Sequence, residues 1–224
     1  MYSIAIDGPA GAGKSTIAKK IAKELNFIYV DTGAMYRAIA LYFLRKGIDG
    51  HDTEAIEKEC KNVDVSLSYD ETGAQQVLLN GENVTGLIRT EEVSKMASLT
   101  SAVPAVRAAL LDLQRNMAKT QNILMDGRDI GTNILPNASM KIYLTASADV
   151  RAKRRYDEQI AKGMAVDFEE IKEDIIKRDE QDMNRAIAPL KKAEDAILVD
   201  SSQMGIREVA DTIEHYWAMK IKRG

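Results

Sequence analysis

The sequence predicts an α/β protein, a parallel sheet covered on both faces by helices. Two observations carry that prediction. Short apolar runs alternate along the chain with stretches of helical periodicity, and the first run ends in a glycine-rich turn that opens into an amphipathic helix. Size is a third: 224 residues, 45% of them hydrophobic and 29% charged, suffice for one packed domain, which at this length buries roughly 70 to 75% of its unfolded surface.

The elements follow in order. Tyr2 to Ile6 reads as a buried strand, and Ile17, Ala18, Ile21, Ala22 and Leu25 form one helical stripe after the turn. Phe27 to Val30 is a second strand. Met35, Ala38, Ile39, Tyr42 and Phe43 then keep i, i+3, i+4, i+7, i+8 spacing, with Gly47 placed to stop that helix. Asn122 to Met125, Met140 to Leu144 and Ala196 to Val199 are further strands between helical patterns, and the last helix carries Ile206, Val209, Ala210, Ile213 and Trp217 on one face. One segment breaks the alternation. Val63, Val65, Leu67 and Tyr69 recur at period 2, and Val77 to Leu79 is joined to Glu82 to Thr85 by Asn80-Gly81. These are the marks of a three-stranded antiparallel meander inserted in the α/β core.

Composition excludes several classes. With 31 Lys plus Arg against 34 Asp plus Glu, bulk charge does not capture nucleic acid or an anionic membrane. The longest apolar run, Ala38 to Leu44, falls short of the ~20 residues of a membrane-crossing helix. Neither a signal peptide nor a zinc cluster is expected, and the single cysteine, Cys60, fits a reducing, cytoplasmic setting.

Chemistry concentrates in a few places. Gly8-Pro9-Ala10-Gly11-Ala12-Gly13-Lys14-Ser15 matches GxxxxGK followed by Ser or Thr, between a predicted strand and a predicted helix. Glycines let the backbone turn its N–H groups toward phosphate oxygens, Lys14 reaches the β and γ phosphates, and the Ser15 hydroxyl ligates Mg²⁺. Asp126, at the end of a later strand, is the expected second Mg²⁺ ligand. No Asn-Lys-x-Asp tetrapeptide is present, which argues against a GTPase switch. A helix from Phe168 to Arg185 opens at Asp167, and its stripe of Ile171 and Ile175 continues as Arg178, Asp182 and Arg185. A face that turns from apolar to charged marks a helix leaving the core for a polar cleft. A solvated ion pair at i, i+4 is the simpler alternative. Arg151, Arg154 and Arg155 cluster on another helix, and their charge alone fits a solvated basic face equally well.

At this point the sequence resembles the bacterial cytidylate kinases, within the nucleoside monophosphate kinases. The likeness runs nearly end to end, through Gly8 to Thr16, Asp31-Thr32-Gly33-Ala34-Met35-Tyr36-Arg37, Ile88-Arg89-Thr90, Asp126-Gly127-Arg128-Asp129, Arg178 through Asp182 to Asn184-Arg185, and Pro189-Leu190. The meander falls where the long bacterial type carries its nucleotide-binding insert. The resemblance implies a single three-layer P-loop kinase domain over residues 1–224, with a five-stranded parallel sheet in order 2-3-1-4-5. It also implies an acceptor-binding region at 34–105 that includes the insert at about 63–85, and a helical lid at 150–170. The implied reaction takes MgATP and CMP or dCMP to ADP and CDP or dCDP. A kinase for another acceptor, such as UMP or a small metabolite, and a regulatory nucleotide switch remain the alternatives.

Site roles follow from the same resemblance. Gly8 through Thr16 and Arg151 are expected around ATP, with Lys14, Arg128, Arg155 and Arg185 acting on the transferring phosphoryl group. Asp31, Thr32, Tyr36, Arg37, Arg128, Arg178 and Arg185 are expected around the acceptor. Cytosine offers N4–H₂ as donor and N3 and O2 as acceptors; by resemblance Asp129, Arg107 and Ser98 read it, and Asp182 takes the ribose hydroxyls. Mg²⁺ is the expected cofactor. No nucleic-acid or membrane partner is expected, and the chain is expected to be a monomer.

Overall fold

In the computed structural model, which describes residues 1–222, strand β1 (Ser3–Asp7) lies at the centre of a parallel five-stranded sheet. β6 (Ile123–Gly127) and then β2 (Ile28–Asp31) lie on one side, β7 (Met140–Thr145) and then β8 (Ile197–Asp200) on the other. Counting only these five strands, the order is 2-3-1-4-5, as the resemblance implies. Ile6 lies opposite Asp126 and Asp126 opposite Asp31, so Asp7, Asp31 and Asp126 gather at the carboxyl ends of three neighbouring strands. Strand order reverses at β1, and in open α/β sheets the crevice at such a reversal is where ligands bind.

Period-2 alternation sorts the sheet residues between two helical layers. Ile4, Ile6, Leu124, Ile142 and Leu144 pack against α1 (Lys14–Leu25) and α8 (Ile206–Ile221). Ala5, Val30, Ile123 and Met125 face α2 (Thr32–Arg45) and α5 (Pro104–Thr120) on the other side. The expected stripes of α1 and α2 are buried apart from a half-exposed Leu25. In α8 the stripe begins at Val209, for Ile206 is 58% exposed in the first turn, beyond the edge of the sheet core. Pro104 starts α5 at a first-turn position, where its missing N–H costs no hydrogen bond.

The meander forms as β3 (Val65–Tyr69), β4 (Gln75–Leu79) and β5 (Glu82–Asn83), all antiparallel. Asn80 and Gly81 turn the second hairpin with φ of 48° and 84°, the pair of positive values that a tight hairpin turn demands. Two short helices, α3 (Thr53–Glu59) and α4 (Glu91–Thr100), flank the insert; the apolar pattern of neither is long enough to be read from the sequence. α6 (Ala148–Ala161) and α7 (Phe168–Asn184) pack on each other through a small core of their own, Ala152 with Ile171 and Ile175. Asp167 caps α7 by accepting from the Glu170 N–H at 3.0 Å. No single helix among the described residues is long and apolar enough to cross a membrane.

Candidate active site

The phosphate-binding loop runs from the end of β1 into α1. Gly8 is pressed so tightly on β7 that a Cβ there would stand 1.9 Å from the Leu144 carbonyl oxygen, so no other residue fits. Lys14 is buried, and its ammonium donates to the Pro9 carbonyl at 2.8 Å. Burial, reinforced by the positive charge of Arg128, lowers its pKa to about 7. Pro9 is buried with Gly8, whereas Gly11 and Thr16 face outward.

Beside the loop, Asp126 is held from three directions. Its carboxylate accepts from the Ser15 hydroxyl at 2.8 Å and the Tyr29 hydroxyl at 3.1 Å, and its backbone oxygen accepts from the Thr32 hydroxyl at 2.7 Å. Burial, then the neighbouring charge of Asp31, raises the Asp126 carboxyl to about 6. Ser15 and Asp126 thus present two hard oxygen donors side by side. Among the described residues no group of three or more His, Cys, Asp or Glu could hold a metal ion. Mg²⁺ bound through phosphates and water needs only one or two protein oxygens, so this pair fits it.

The residues expected on the acceptor side line a cleft that opens to solvent. Thr32, Tyr36, Arg37, Ser98, Arg107, Arg128, Asp129, Arg178, Asp182 and Arg185 all contribute to its walls. The α7 stripe therefore does leave the core for a polar cleft. Asp31 lies beneath the wall. It caps α2 by accepting from the Ala34 N–H at 2.9 Å, and it pairs with Arg37 at 3.2 Å and Arg89 at 2.9 Å. Burial alone would raise its pKa; the two guanidinium groups outweigh burial and hold it below the usual carboxylate range.

At the base of the cleft Arg107 is paired with Asp129, both buried, and Arg107 lies over the Tyr36 ring at 5.7 Å. Arg128 donates to Asp182 at 2.9 Å, while Arg185 donates to the Ala188 carbonyl at 2.6 Å and lies 3.5 Å from Asp129. Ser98 donates to Gln181 at 3.3 Å. The positive charge exceeds what these carboxylates take up. The Nε atoms of Arg37 and Arg178 are buried without a hydrogen-bond partner, and burial, with the charge of Arg128, depresses Arg178 to about 10. Clustered arginines with donors left over suit an oxyanion such as phosphate.

Two arginines on α6 fare differently. Arg155 is half-buried and has no ion-pair partner among the described residues. Arg151 is buried, and four of its five guanidinium N–H groups are engaged: it donates to the Ala146 and Ala10 carbonyls and, at 3.0 and 2.6 Å, to both oxygens of Asp179. It meets the phosphate-binding loop through the Ala10 carbonyl of that loop. Four residues at the site escape sequence reasoning: Asp7, Tyr29, Gln75 and Asp179. Only Asp7 carries a local signal, as the residue just before the loop.

A family model described as Cytidylate kinase matches residues 4–218. The chain belongs to the cytidylate kinase family. It is 51% identical to the cytidylate kinase of Shouchella clausii over 95% of this chain and 94% of that protein. With the cytidylate kinases of a Geobacillus species and of Carboxydothermus hydrogenoformans it shares 50% identity, over 94% and 92% of this chain and 93% and 92% of theirs. Family membership agrees with an arginine-lined cleft beside a glycine-rich loop and the Ser15–Asp126 pair, at the carboxyl ends of the central strands.

Proposed function

We propose that the protein transfers the γ-phosphoryl group of MgATP to CMP or dCMP, giving ADP and CDP or dCDP. The observation that supports this reading is the arginine cluster of Arg37, Arg128, Arg178 and Arg185 that lines the cleft, in which the Nε atoms of Arg37 and Arg178 are left unpartnered. Two anionic phosphates have to approach for transfer, and fixed guanidinium groups offset their repulsion while aligning the attack. The acceptor phosphate has a second pKa near ~6 and is already a dianion at neutral pH, so no general base is required. Asp129 and Asp182 are accordingly free to serve as hydrogen-bond partners.

In this reading Gly8 to Thr16 wrap the ATP phosphates, and Lys14 moves its ammonium from the Pro9 carbonyl to the β and γ oxygens. Ser15 and Asp126 hold Mg²⁺, which when bound neutralises charge on those oxygens. Tyr36, Arg37, Arg128, Arg178 and Arg185 hold the acceptor phosphate, with Asp31 and Thr32 setting the first turn of α2 beneath them. Arg107, Asp129 and Ser98 read the base, and Asp182 takes the ribose. Residues 34–105 form the acceptor side, and 150–170 the lid that brings Arg155 to the transferring group. Arg151 serves from its buried position by tying the lid to the loop.

A panel of acceptors in a coupled ADP-release assay tests the proposal. CMP and dCMP are expected to be the fastest substrates, well ahead of UMP and AMP. ADP release at one rate with every acceptor and with none would replace the kinase reading by that of a slow nucleotide hydrolase.

A further inference from the structure

Asp7 has no part in the chemistry described above, yet it is one of the most constrained carboxylates in the molecule. It is the last residue of β1, directly before Gly8, and is 4% exposed. One oxygen accepts from the Ile130 N–H and the other from the Gly131 N–H, each at 2.7 Å. Those amides begin a π-turn, Ile130–Ile134, that starts immediately after Arg128 and Asp129. A π-turn is rare, and its leading N–H groups have no partner within the turn. Asp129 belongs to the same unit: its carbonyl accepts from the Asn133 N–H at 2.9 Å, and its carboxylate from the Asn133 side chain at 3.1 Å.

The local packing is adapted to this grip. A Cβ on Gly131 would stand 3.2 Å from the Asp7 carboxylate and 3.0 Å from the stem of Lys141, so a bare backbone is what lets the carboxylate reach. The choice of aspartate carries a cost, since burial raises its pKa to about 6 even with both amides donating to it. Only a carboxylate, however, offers two acceptor oxygens to two parallel N–H groups; an asparagine would turn an NH₂ toward one of them.

We propose that Asp7 is the positioning residue that locks the Arg128–Asp129 turn in register with the phosphate-binding loop. The loop begins one residue after Asp7, and sheet pairing of Asp7 with Gly127 already brings the end of β6 beside it; the Asp7 side chain extends that hold past the strand to the turn that follows Arg128 and Asp129. This rests on the function proposed above. A misplacement of about 1 Å at such a site costs on the order of 100-fold in rate.

Asp7→Asn tests it with three readouts: amide hydrogen exchange at Ile130 and Gly131, the ATP dissociation constant by titration, and the CMP-to-UMP ratio of kcat/KM. Faster exchange at both amides, ATP affinity within about threefold of the parent, and a selectivity ratio reduced about 10- to 100-fold are expected. An unchanged ratio overturns the proposal, as does equal weakening of ATP and CMP with the ratio preserved, which is what general loosening of the fold would produce. If Asp7→Asn does not fold, Gly131→Ala, which pushes the turn off the carboxylate without altering charge, is read by the same criteria. Were the parent protein to ignore CMP, the proposed function would fall by itself; the exchange readout would still decide whether Asp7 holds the turn, and unchanged protection would overturn that too.

Discussion

Asp179 grips the guanidinium of Arg151 with both carboxylate oxygens, and the same guanidinium reaches across to the Ala10 carbonyl at 3.0 Å. One ion pair therefore ties α7 to α6 and both to the phosphate-binding loop. Removing one partner of a buried pair strands the other charge, at about 3 to 5 kcal/mol when burial is complete. Asp179→Ala is expected to lower the melting temperature by several degrees and to speed hydrogen exchange in α6 and α7 ahead of the sheet. A melting temperature equal to the parent's would show that the pair is not a strut.

Lys14 is expected to act on the transition state, where charge builds on the group in transit. Lys14→Ala should retain the fold and lower kcat by at least about 100-fold, the scale on which one electrostatic stabiliser acts. Circular dichroism and steady-state kinetics check it together; near-normal turnover in a folded variant would remove Lys14 from the mechanism.

Arg128 and Arg185, proposed to hold the acceptor phosphate, should be indifferent to the sugar. Arg185→Ala and Arg128→Ala are predicted to damage CMP and dCMP turnover by the same factor, and Lys in either place to restore little, because an ammonium does not reproduce a planar fork of donors. Full activity in a Lys variant would argue against that geometry.

In the function proposed above, base choice depends on the Arg107–Asp129 pair. In that role the Asp129 carboxylate would attract the amino group of cytosine and repel the O4 of uracil, and Arg107 would match N3 of cytosine but meet an N–H in uracil. Each mismatch is worth roughly 1 to 3 kcal/mol, or about 10- to 100-fold. Asp129→Ala should cut kcat/KM for CMP sharply and leave UMP nearly unchanged. A parental CMP-to-UMP ratio in both Asp129→Ala and Arg107→Ala would remove these residues from base reading.

A pH dependence of stability is expected where α8 packs on α1. Glu214 on α8 has a buried, unpartnered oxygen, and burial, then the neighbouring Glu24 carboxylate of α1, raises it from 4.5 to about 7. Between those values the folded protein keeps a proton that the unfolded chain has lost. The contribution is present in full below the unfolded value and disappears as pH rises through the folded one. Melting temperature should fall from about pH 5 to about pH 8 by more in the parent than in Glu214→Gln. Parallel curves would rule the pair out as the source.

Much of this is legible in the sequence because the signals are local. The strand, loop and α1 announce themselves through glycine spacing and a helical stripe, and the α7 face gives away the cleft by changing from isoleucine to arginine and aspartate along one line. The carboxylates that brace the site are not legible in this way. Asp7 meets Ile130 and Asp179 meets Arg151 across 123 and 28 residues, respectively. Neither pairing leaves a trace in spacing. The engaged state of Arg151 is hidden for the same reason, since composition supplies the charge and only the fold supplies its partners.

The Gln75 side chain of β4 accepts from the Asp31 N–H at 2.9 Å and donates to the Asp31 carbonyl at 3.4 Å, and Tyr69 donates to the Tyr29 carbonyl at 3.2 Å. β2 is an outer strand of the main sheet, and these are the backbone groups on its open side. Two side chains thus occupy hydrogen-bonding positions that another chain's strand would otherwise fill. The insert is therefore also a guard against self-association: a protein shortened across β3 to β5 would present a bare β-edge, and its tendency to aggregate would rise independently of any loss of catalysis.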